Sequence, residues 1–131
     1  LKEAVSEKDQ PDFYTVTSVA ELERLLSDAR SDEQPVILDF YADWCTDCLR
    51  MEKTTFSNPQ VRTVLNRFRL LKIDVTDPSD PVGKTIKQHY GVYGPPALLF
   101  FDAQGQEVSA KRLYGYLDPN RFLSLLKTLR I

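Results

Sequence analysis

The clearest pattern in the chain is a continuous apolar segment, residues 36–41, in which Asp39 is the single acid. An uninterrupted apolar run of this length is typical of a parallel strand that is buried on both faces of its sheet. Asp102-Ala103-Gln104-Gly105 is a hairpin signal, so the segments on either side of it are expected to pair as antiparallel strands. Four further strands are predicted from apolar segments at residues 13–16, 68–75, 97–101 and 108–116.

Apolar positions at helical spacing separate these strands. Ser18 and Glu21 form a capping box that opens the first helix, and Asp118-Pro119 caps the last. The order β-α-β-α-β-α-β-β-α predicts an α/β fold with a central mixed sheet flanked by helices. The helical segments are residues 19–29, residues 45–56 with a restart at residue 59, residues 82–90, and the segment that follows Pro119.

Composition predicts one domain. The chain has 131 residues, of which 42% are hydrophobic, and this is enough for a core of its own. The net charge of -2 argues against nucleic acid as a partner. No apolar run reaches the roughly 18–20 residues needed to cross a bilayer. Residues 1–12 are polar and predict a linker or arm, which leaves residues 13–131 as the domain. Because signal-peptide features are absent and Leu1 comes first, we expect a processed protein or an excised domain.

Cys45 and Cys48 are the only cysteines, and they directly follow the central strand. At i and i+3 of a first helical turn, two sulfurs lie on one face and are close enough to bond. The free backbone N–H groups and the helix dipole there favour thiolate over thiol. We expect Cys45, at the helix edge, to be the exposed nucleophile and Cys48, one turn further in, to be the buried resolving thiol.

Two other interpretations of the cysteine pair are weaker. A zinc site needs about four ligands, and the only histidine, His89, belongs to a different predicted helix. A structural disulfide that encloses two residues would constrain the unfolded chain little, because stabilisation grows with loop size. Thiol–disulfide exchange, with no bound cofactor and no metal, is therefore the expected chemistry.

Two acids are candidates for proton transfer to these sulfurs. Asp39 could be a solvated strand residue, but an unpaired carboxylate in a strand covered on both sides is costly and has a raised pKa. A proton acceptor for Cys48 explains Asp39 better. Glu52 follows Cys48 by four residues and shares its helical face, so it is either a second proton-handling acid or a solvated helix residue.

The motif Trp44-Cys45-x-x-Cys48 after the second strand, with Gly94-Pro95-Pro96 before the fourth, resembles the thioredoxin superfamily. Two further motifs, YADWCxxC at residues 41–48 and EKxTFSxPxV at residues 52–61, are similar to the C-terminal thioredoxin-like domain of the DsbD family of bacterial thiol:disulfide interchange proteins. The resemblance covers about residues 13–131. It implies a thioredoxin fold, a buried acid at Asp39 and a cis-proline at Pro96, which could otherwise be an ordinary loop proline.

The resemblance also implies partners and a location. In the DsbD family a transmembrane domain passes electrons to a periplasmic thioredoxin-like domain, which reduces an N-terminal immunoglobulin-like domain of the same protein. The immunoglobulin-like domain in turn serves periplasmic client proteins, including those of cytochrome c biogenesis. For this chain the implied location is the periplasm, as a soluble domain of an inner-membrane protein, and the isolated domain is expected to be a monomer.

Two positions depart from the family pattern. Leu49 stands where thioredoxins carry lysine, which removes a positive charge near the site. Pro95 precedes the cis-proline and has no N–H, so only its carbonyl can pair with a substrate chain. Trp44 could be plain core, but beside the nucleophile it is expected to shield the site and to form docking surface. The residues expected to contact partners are Asp43, Trp44, Thr46, Asp47, Pro95 and Pro96.

The main hypothesis is a disulfide reductase that relays electrons through the Cys45/Cys48 dithiol. One alternative is a free-standing thioredoxin with general substrates, which reduction by thioredoxin reductase would favour. Another is a redox-inert binding module that kept the fold, in which changing both cysteines would leave function intact.

Overall fold

A five-stranded mixed sheet forms the centre of the molecule. The computed structural model describes residues 10–129, so most of the predicted polar arm and the last two residues of the predicted domain lie outside the described residues. The strand order is β1-β3-β2-β4-β5; the first three strands run parallel and β4 and β5 pair antiparallel. The strands are β1 Tyr14–Thr15, β2 Val36–Tyr41, β3 Arg69–Asp74, β4 Ala97–Phe101 and β5 Leu113–Tyr114.

Helices cover both faces of this sheet, and their ends carry the predicted caps. Ser18 accepts the backbone N–H of Glu21 at 3.0 Å, and Asp118 accepts that of Arg121 at 2.9 Å. Among residues 10–129, no helix is long and apolar enough to cross a membrane. The helices are α1 Val19–Ser31, α2 Thr46–Arg50, α3 Pro59–Leu65, α4 Pro81–Tyr90 and α5 Pro119–Lys127.

The central strand divides the core into two layers. Leu38 and Phe40 belong to the cluster that contains buried residues of α1 and α4. Ile37 belongs to the cluster on the other face, with residues of α3 and α5. Successive side chains of a strand point to opposite faces, so Asp39 shares the face of Ile37. This alternation places Asp39, the one acid of the strand, beneath the segment that carries the cysteines.

The predicted helix over residues 45–56 is regular only in its first half. After α2 the chain continues without a break into a π-helical turn, Met51–Thr55, in which the N–H of Phe56 bonds to the carbonyl of Met51 at 2.8 Å. Short π-helical turns inside α-helices are rare and are frequent at functional sites. Thr55, on this turn, is completely buried.

The last strand is much shorter than the prediction of residues 108–116. The hairpin turn forms as expected, and Phe101 bridges to Glu107. The chain then leaves the sheet in a 3-10 turn, Ser109–Lys111, and returns only for Leu113–Tyr114. Apolar and polar residues alternate from Val108 to Lys111, so the sequence pattern fits a strand there. The backbone N–H groups of Lys111 and Arg112 instead bond within the turn, to the carbonyls of Val108 and Ser109.

Candidate active site

Cys45 and Cys48 are joined in a disulfide at the start of α2, with their Cα atoms 5.2 Å apart. Cys45 occupies the N-cap position, and its sulfur accepts the backbone N–H of Cys48 at 3.1 Å. An N-cap acceptor with negative charge is stabilised by such a bond and by the helix dipole. The site therefore favours a thiolate at Cys45 once the disulfide is reduced.

The expected contrast in exposure between the two cysteines is absent in this disulfide-bonded state. Cys45 is 5% exposed and Cys48 4%. Both cysteines pack into the buried cluster that contains Leu38 and Phe40. What distinguishes them is position: Cys45 precedes the first helical residue, whereas Cys48 lies inside α2 and faces a small cavity.

This inner cavity, of about 10 Å3, lies between the central strand and the cysteine-bearing segment. Asp39 and Cys48 both line it. A cavity of this size is near the lower limit of about 10–15 Å3 needed to hold one water molecule. The structure thus brings the predicted acid and the predicted resolving thiol to one confined space. The residues around the inner cavity include Asp39, Cys48, Met51, Phe56, Pro96 and Gly115.

Asp39 is only 5% exposed, and burial raises its pKa to about 7. The positive charge of Lys72 opposes this rise, and the negative charge of Glu52 adds to it. Desolvation disfavours the charged form of a carboxylic acid, which is the direction expected for a carboxyl in the core. Near neutral pH the Asp39 carboxyl can therefore both accept and release a proton.

Glu52 does not reach the inner cavity. Its carboxylate pairs with the ammonium of Lys72 at 3.3 Å, and Lys72 is the register neighbour of Asp39 on β3. The Lys72 ammonium also lies over the ring of Tyr41, 4.4 Å from its centroid. Glu52 acts on Asp39 electrostatically, but its direct partner is Lys72.

A wider, open cleft of about 530 Å3 lies beside this ion pair. Phe56 lines both this outer cleft and the inner cavity, so its ring forms part of the wall between them. The residues around the outer cleft include Gln10, Asp12, Phe13, Glu52, Phe56 and Lys72.

Three of the predicted partner-contact residues, Asp43, Trp44 and Thr46, are exposed around the disulfide, and a fourth, Asp47, is partly exposed. Trp44 is 61% exposed, which excludes the core interpretation, and its indole N–H donates to the carbonyl of Thr76 at 2.9 Å. The Asp43 carboxylate accepts from the hydroxyl of Tyr41 at 2.9 Å.

Pro95 and Pro96 lie on the loop that leads into β4, and both are partly exposed. The Pro95–Pro96 peptide bond is cis, as the resemblance implies. The carbonyl of Pro96 accepts the backbone N–H of Gly115, and Pro96 itself lines the inner cavity beside Cys48. Tyr93, two residues before Pro95, is 96% exposed.

Sequence reasoning missed three residues of this site. Lys72 is a polar position in an otherwise apolar strand, and this is the sequence signal for it. Tyr41 is the last residue of the central strand in the sequence pattern, and in the structure it contacts both Lys72 and Asp43. Thr76, whose hydroxyl accepts the backbone N–H of Asp43 at 2.9 Å, gave no signal because its contact depends on how two loops meet. No group of three or more His, Cys, Asp or Glu within residues 10–129 could hold a metal ion.

A cysteine pair at the head of a helix, above a buried carboxylate and beside a cis-proline, defines the class as a thiol–disulfide oxidoreductase of thioredoxin fold. The family model described as a thioredoxin-like domain matches residues 22–130, and the chain belongs to that family.

Within this family, the chain is similar to DsbD proteins in both sequence and structure. The chain is 44% identical over 95% of its length to the thiol:disulfide interchange protein DsbD of Klebsiella pneumoniae, and 46% identical over 85% to that of Pseudomonas fluorescens. It spans only 20% and 19% of those proteins. The oxidised C-terminal domain of Neisseria meningitidis DsbD superposes with a TM-score of 0.74 at 28% identity, covering 89% of this chain and 98% of that one.

Proposed function

We propose that this chain is the disulfide-reducing relay domain of a DsbD-type protein. The observation that carries the proposal is the Cys45–Cys48 disulfide at the head of α2, with Asp39 and Cys48 on one inner cavity. Likeness to DsbD over nearly the whole chain supports it. The proposed domain comprises residues 13–131, preceded by a polar linker.

The reaction is thiol–disulfide exchange in two steps. The Cys45 thiolate attacks one sulfur of a partner disulfide, and the other partner sulfur leaves as a thiolate. The Cys48 thiol then loses its proton and attacks Cys45 in the mixed disulfide. The partner is released with both sulfurs reduced. The two electrons that it gains come from Cys45 and Cys48, which are left joined as a disulfide.

Asp39 is the proposed proton acceptor for Cys48. Both groups line the inner cavity, and one water molecule in that space could bridge them. A carboxyl whose pKa lies near 7 is matched to a thiol that must be deprotonated at neutral pH. Glu52, paired with Lys72, tunes Asp39 rather than touching the sulfurs.

The relay needs a donor and an acceptor. We assign these roles to a transmembrane domain and an N-terminal immunoglobulin-like domain of the same protein, with the site facing the periplasm. The chain accounts for about a fifth of the DsbD proteins it matches, which leaves room for such domains. Asp43, Trp44, Thr46, Asp47, Pro95 and Pro96 form the proposed contact surface.

Trapping tests both the chemistry and the partner. The Cys48→Ala variant should accumulate a mixed disulfide through Cys45 with an immunoglobulin-like periplasmic domain that carries a disulfide. The matched Cys45→Ala variant should trap little, because Cys48 lies inside the helix. Non-reducing electrophoresis and mass spectrometry of the linked peptides measure both.

Three outcomes would contradict the proposal. Equal trapping by both variants would reverse the assignment of roles. Rapid reduction by thioredoxin reductase, fast insulin turnover and no trapped periplasmic partner would favour a free-standing thioredoxin. Unchanged function in the double cysteine variant would favour a redox-inert binding module.

A further inference from the structure

The N-terminal segment, residues 10–13, contacts the redox site from the side away from the disulfide. The side-chain amide of Gln10 donates to the backbone carbonyl of Glu52 at 2.7 Å. That carbonyl is among the last four of the helical segment that begins at α2, where carbonyls lack a partner within the helix. Gln10 thus caps the cysteine-bearing segment from a position 42 residues earlier in the chain.

An aromatic contact makes a second attachment. The ring of Phe13 lies 5.4 Å from that of Phe56, which in turn makes an edge contact at 5.8 Å with the buried Phe122. Phe56 is the ring that lines both the inner cavity and the outer cleft. Phe13 therefore helps to hold the wall that separates the space beside Cys48 from bulk water.

The chain directly after the N-terminal segment makes a third attachment. Thr15 of β1 is the register neighbour of Lys72, and the backbone N–H of Val16 donates to the Lys72 carbonyl at 2.9 Å. One short stretch of chain thus holds both partners of the ion pair, Glu52 and Lys72, whose charges act on Asp39.

We propose that the N-terminal segment is a positioning element of the redox site. By fixing Glu52 and Phe56 it keeps the water of the outer cleft away from Asp39, and so sets the pH range in which Asp39 accepts the proton of Cys48. The inference rests on the proposed exchange reaction. It gives the segment a role beyond that of a linker.

Loosening the segment should act mainly through hydration of Asp39. Burial is the largest cause of the raised Asp39 pKa, so water admitted past Phe56 lowers that pKa. On the β4 side Asp39 meets the apolar Leu98. The charged and titratable groups facing Asp39 are Cys48 and Glu52 on the helical segment, Lys72 on β3 and Tyr41 on its own strand, with Asp12 across the outer cleft.

Two substitutions in the full chain test the proposal. Gln10→Ala removes the bond to the Glu52 carbonyl, and Phe13→Leu removes the ring contact while keeping an apolar side chain. For each variant, the glutathione mixed disulfide on Cys45 is prepared and its resolution by Cys48 is followed from pH 5 to 9. The pH midpoint of the resolution rate should fall by about half a unit or more in both variants.

Gln104→Ala is the matched control, because Gln104 is an exposed residue of the hairpin turn at the other end of the sheet. Its midpoint should equal that of the unmodified chain. Unchanged midpoints in Gln10→Ala and Phe13→Leu, or a rise instead of a fall, would overturn the proposal while leaving the exchange reaction intact. Absence of any resolution in the unmodified chain would instead refute the proposed function.

Discussion

At the scale of single residues, Asp39 is the one acidic side chain that the fold buries among residues 10–129. Asp39 and Thr55 are the polar side chains that the fold buries among residues 10–129. Burying a carboxylate away from water is unfavourable unless it is paired or protonated. The site accepts this cost at the strand position that faces Cys48, where a proton acceptor is needed.

Asp39→Asn should remove a pH-dependent loss of stability. The folded-state pKa of about 7 lies above the unfolded value of about 3.9, so the folded state binds more protons between these two pH values. The free energy of unfolding should therefore fall as pH rises from about 4 to 7, by up to about 4 kcal/mol at 1.4 kcal/mol per pKa unit. Asparagine cannot ionise, so the variant should lack this fall.

Urea denaturation at pH 5 and pH 8 measures the difference. The same variant should resolve mixed disulfides more slowly near neutral pH, while attack by Cys45 continues. If Asp39→Asn shows the pH dependence of the unmodified chain and resolves at the original rate from pH 6 to 9, Asp39 has neither role.

At the scale of elements, the π-helical turn attaches the cysteine-bearing segment to the loop between β5 and α5. The buried hydroxyl of Thr55 donates to the carbonyl of Leu117 at 2.6 Å, and the hydroxyls of Thr54 and Tyr116 share a hydrogen bond of 2.7 Å. The guanidinium of Arg50 lies over the Tyr116 ring, 3.8 Å from its centroid. These contacts hold Gly115, just before them in the chain, against the inner cavity.

Thr55→Val keeps the shape of the side chain but leaves the Leu117 carbonyl without its donor. An unsatisfied buried acceptor costs about 1–3 kcal/mol, so the free energy of unfolding should fall by that amount. Thr63→Val is the control, because the exposed hydroxyl of Thr63 makes a similar bond to the carbonyl of Pro59 on α3. That change should stay within about 0.5 kcal/mol.

Equilibrium urea unfolding of both variants gives the comparison. Equal effects would mean that the bond between Thr55 and Leu117 adds nothing to what any threonine hydroxyl contributes.

At the scale of the whole molecule, what matters is where the charges lie rather than the small net charge of -2. Asp43 and Asp47 flank the disulfide, and the exposed Leu49 follows Cys48 where a lysine would add a cation. Negative charge near Cys45 disfavours its thiolate and makes the reduced form a better electron donor. We expect a reduction potential nearer the roughly -270 mV of thioredoxin than the roughly -120 mV of strongly oxidising relatives.

Two variants with the same change in net charge separate placement from total charge. Leu49→Lys should stabilise the thiolate and raise the potential, by up to roughly 30 mV. Gln104→Lys adds the same charge in the hairpin turn after β4. At about 3.3 Å per residue, the five residues of β4 place this turn about 15 Å from the end of the strand that adjoins the site, which is beyond the Debye length of about 8 Å. That substitution should leave the potential unchanged.

Equilibration with glutathione redox buffers measures both variants. Equal shifts would assign the effect to net charge, and a potential above about -180 mV in the unmodified chain would contradict the argument from local charge.

Local spacing was sufficient to predict much of the site. The spacing of Cys45 and Cys48, with two residues between them, together with a strand before them and a helix after them, predicts a bonded pair at a helix start. The position of Asp39 inside an apolar strand predicts burial, because a strand apolar on both faces has no side open to water. These predictions hold because each depends on neighbours within a few residues.

Only the tertiary structure decided what surrounds Asp39. Lys72 reaches it through the register of β3 against β2, and Gln10 reaches Glu52 across 42 residues of chain. The short last strand and the equal burial of the two cysteines also depend on packing between distant segments. Sequence spacing cannot specify such contacts, because strand register and helix packing are set by the whole core at once. The residues that react could therefore be predicted from the sequence, whereas the residues that tune the reaction could be identified only from the tertiary structure.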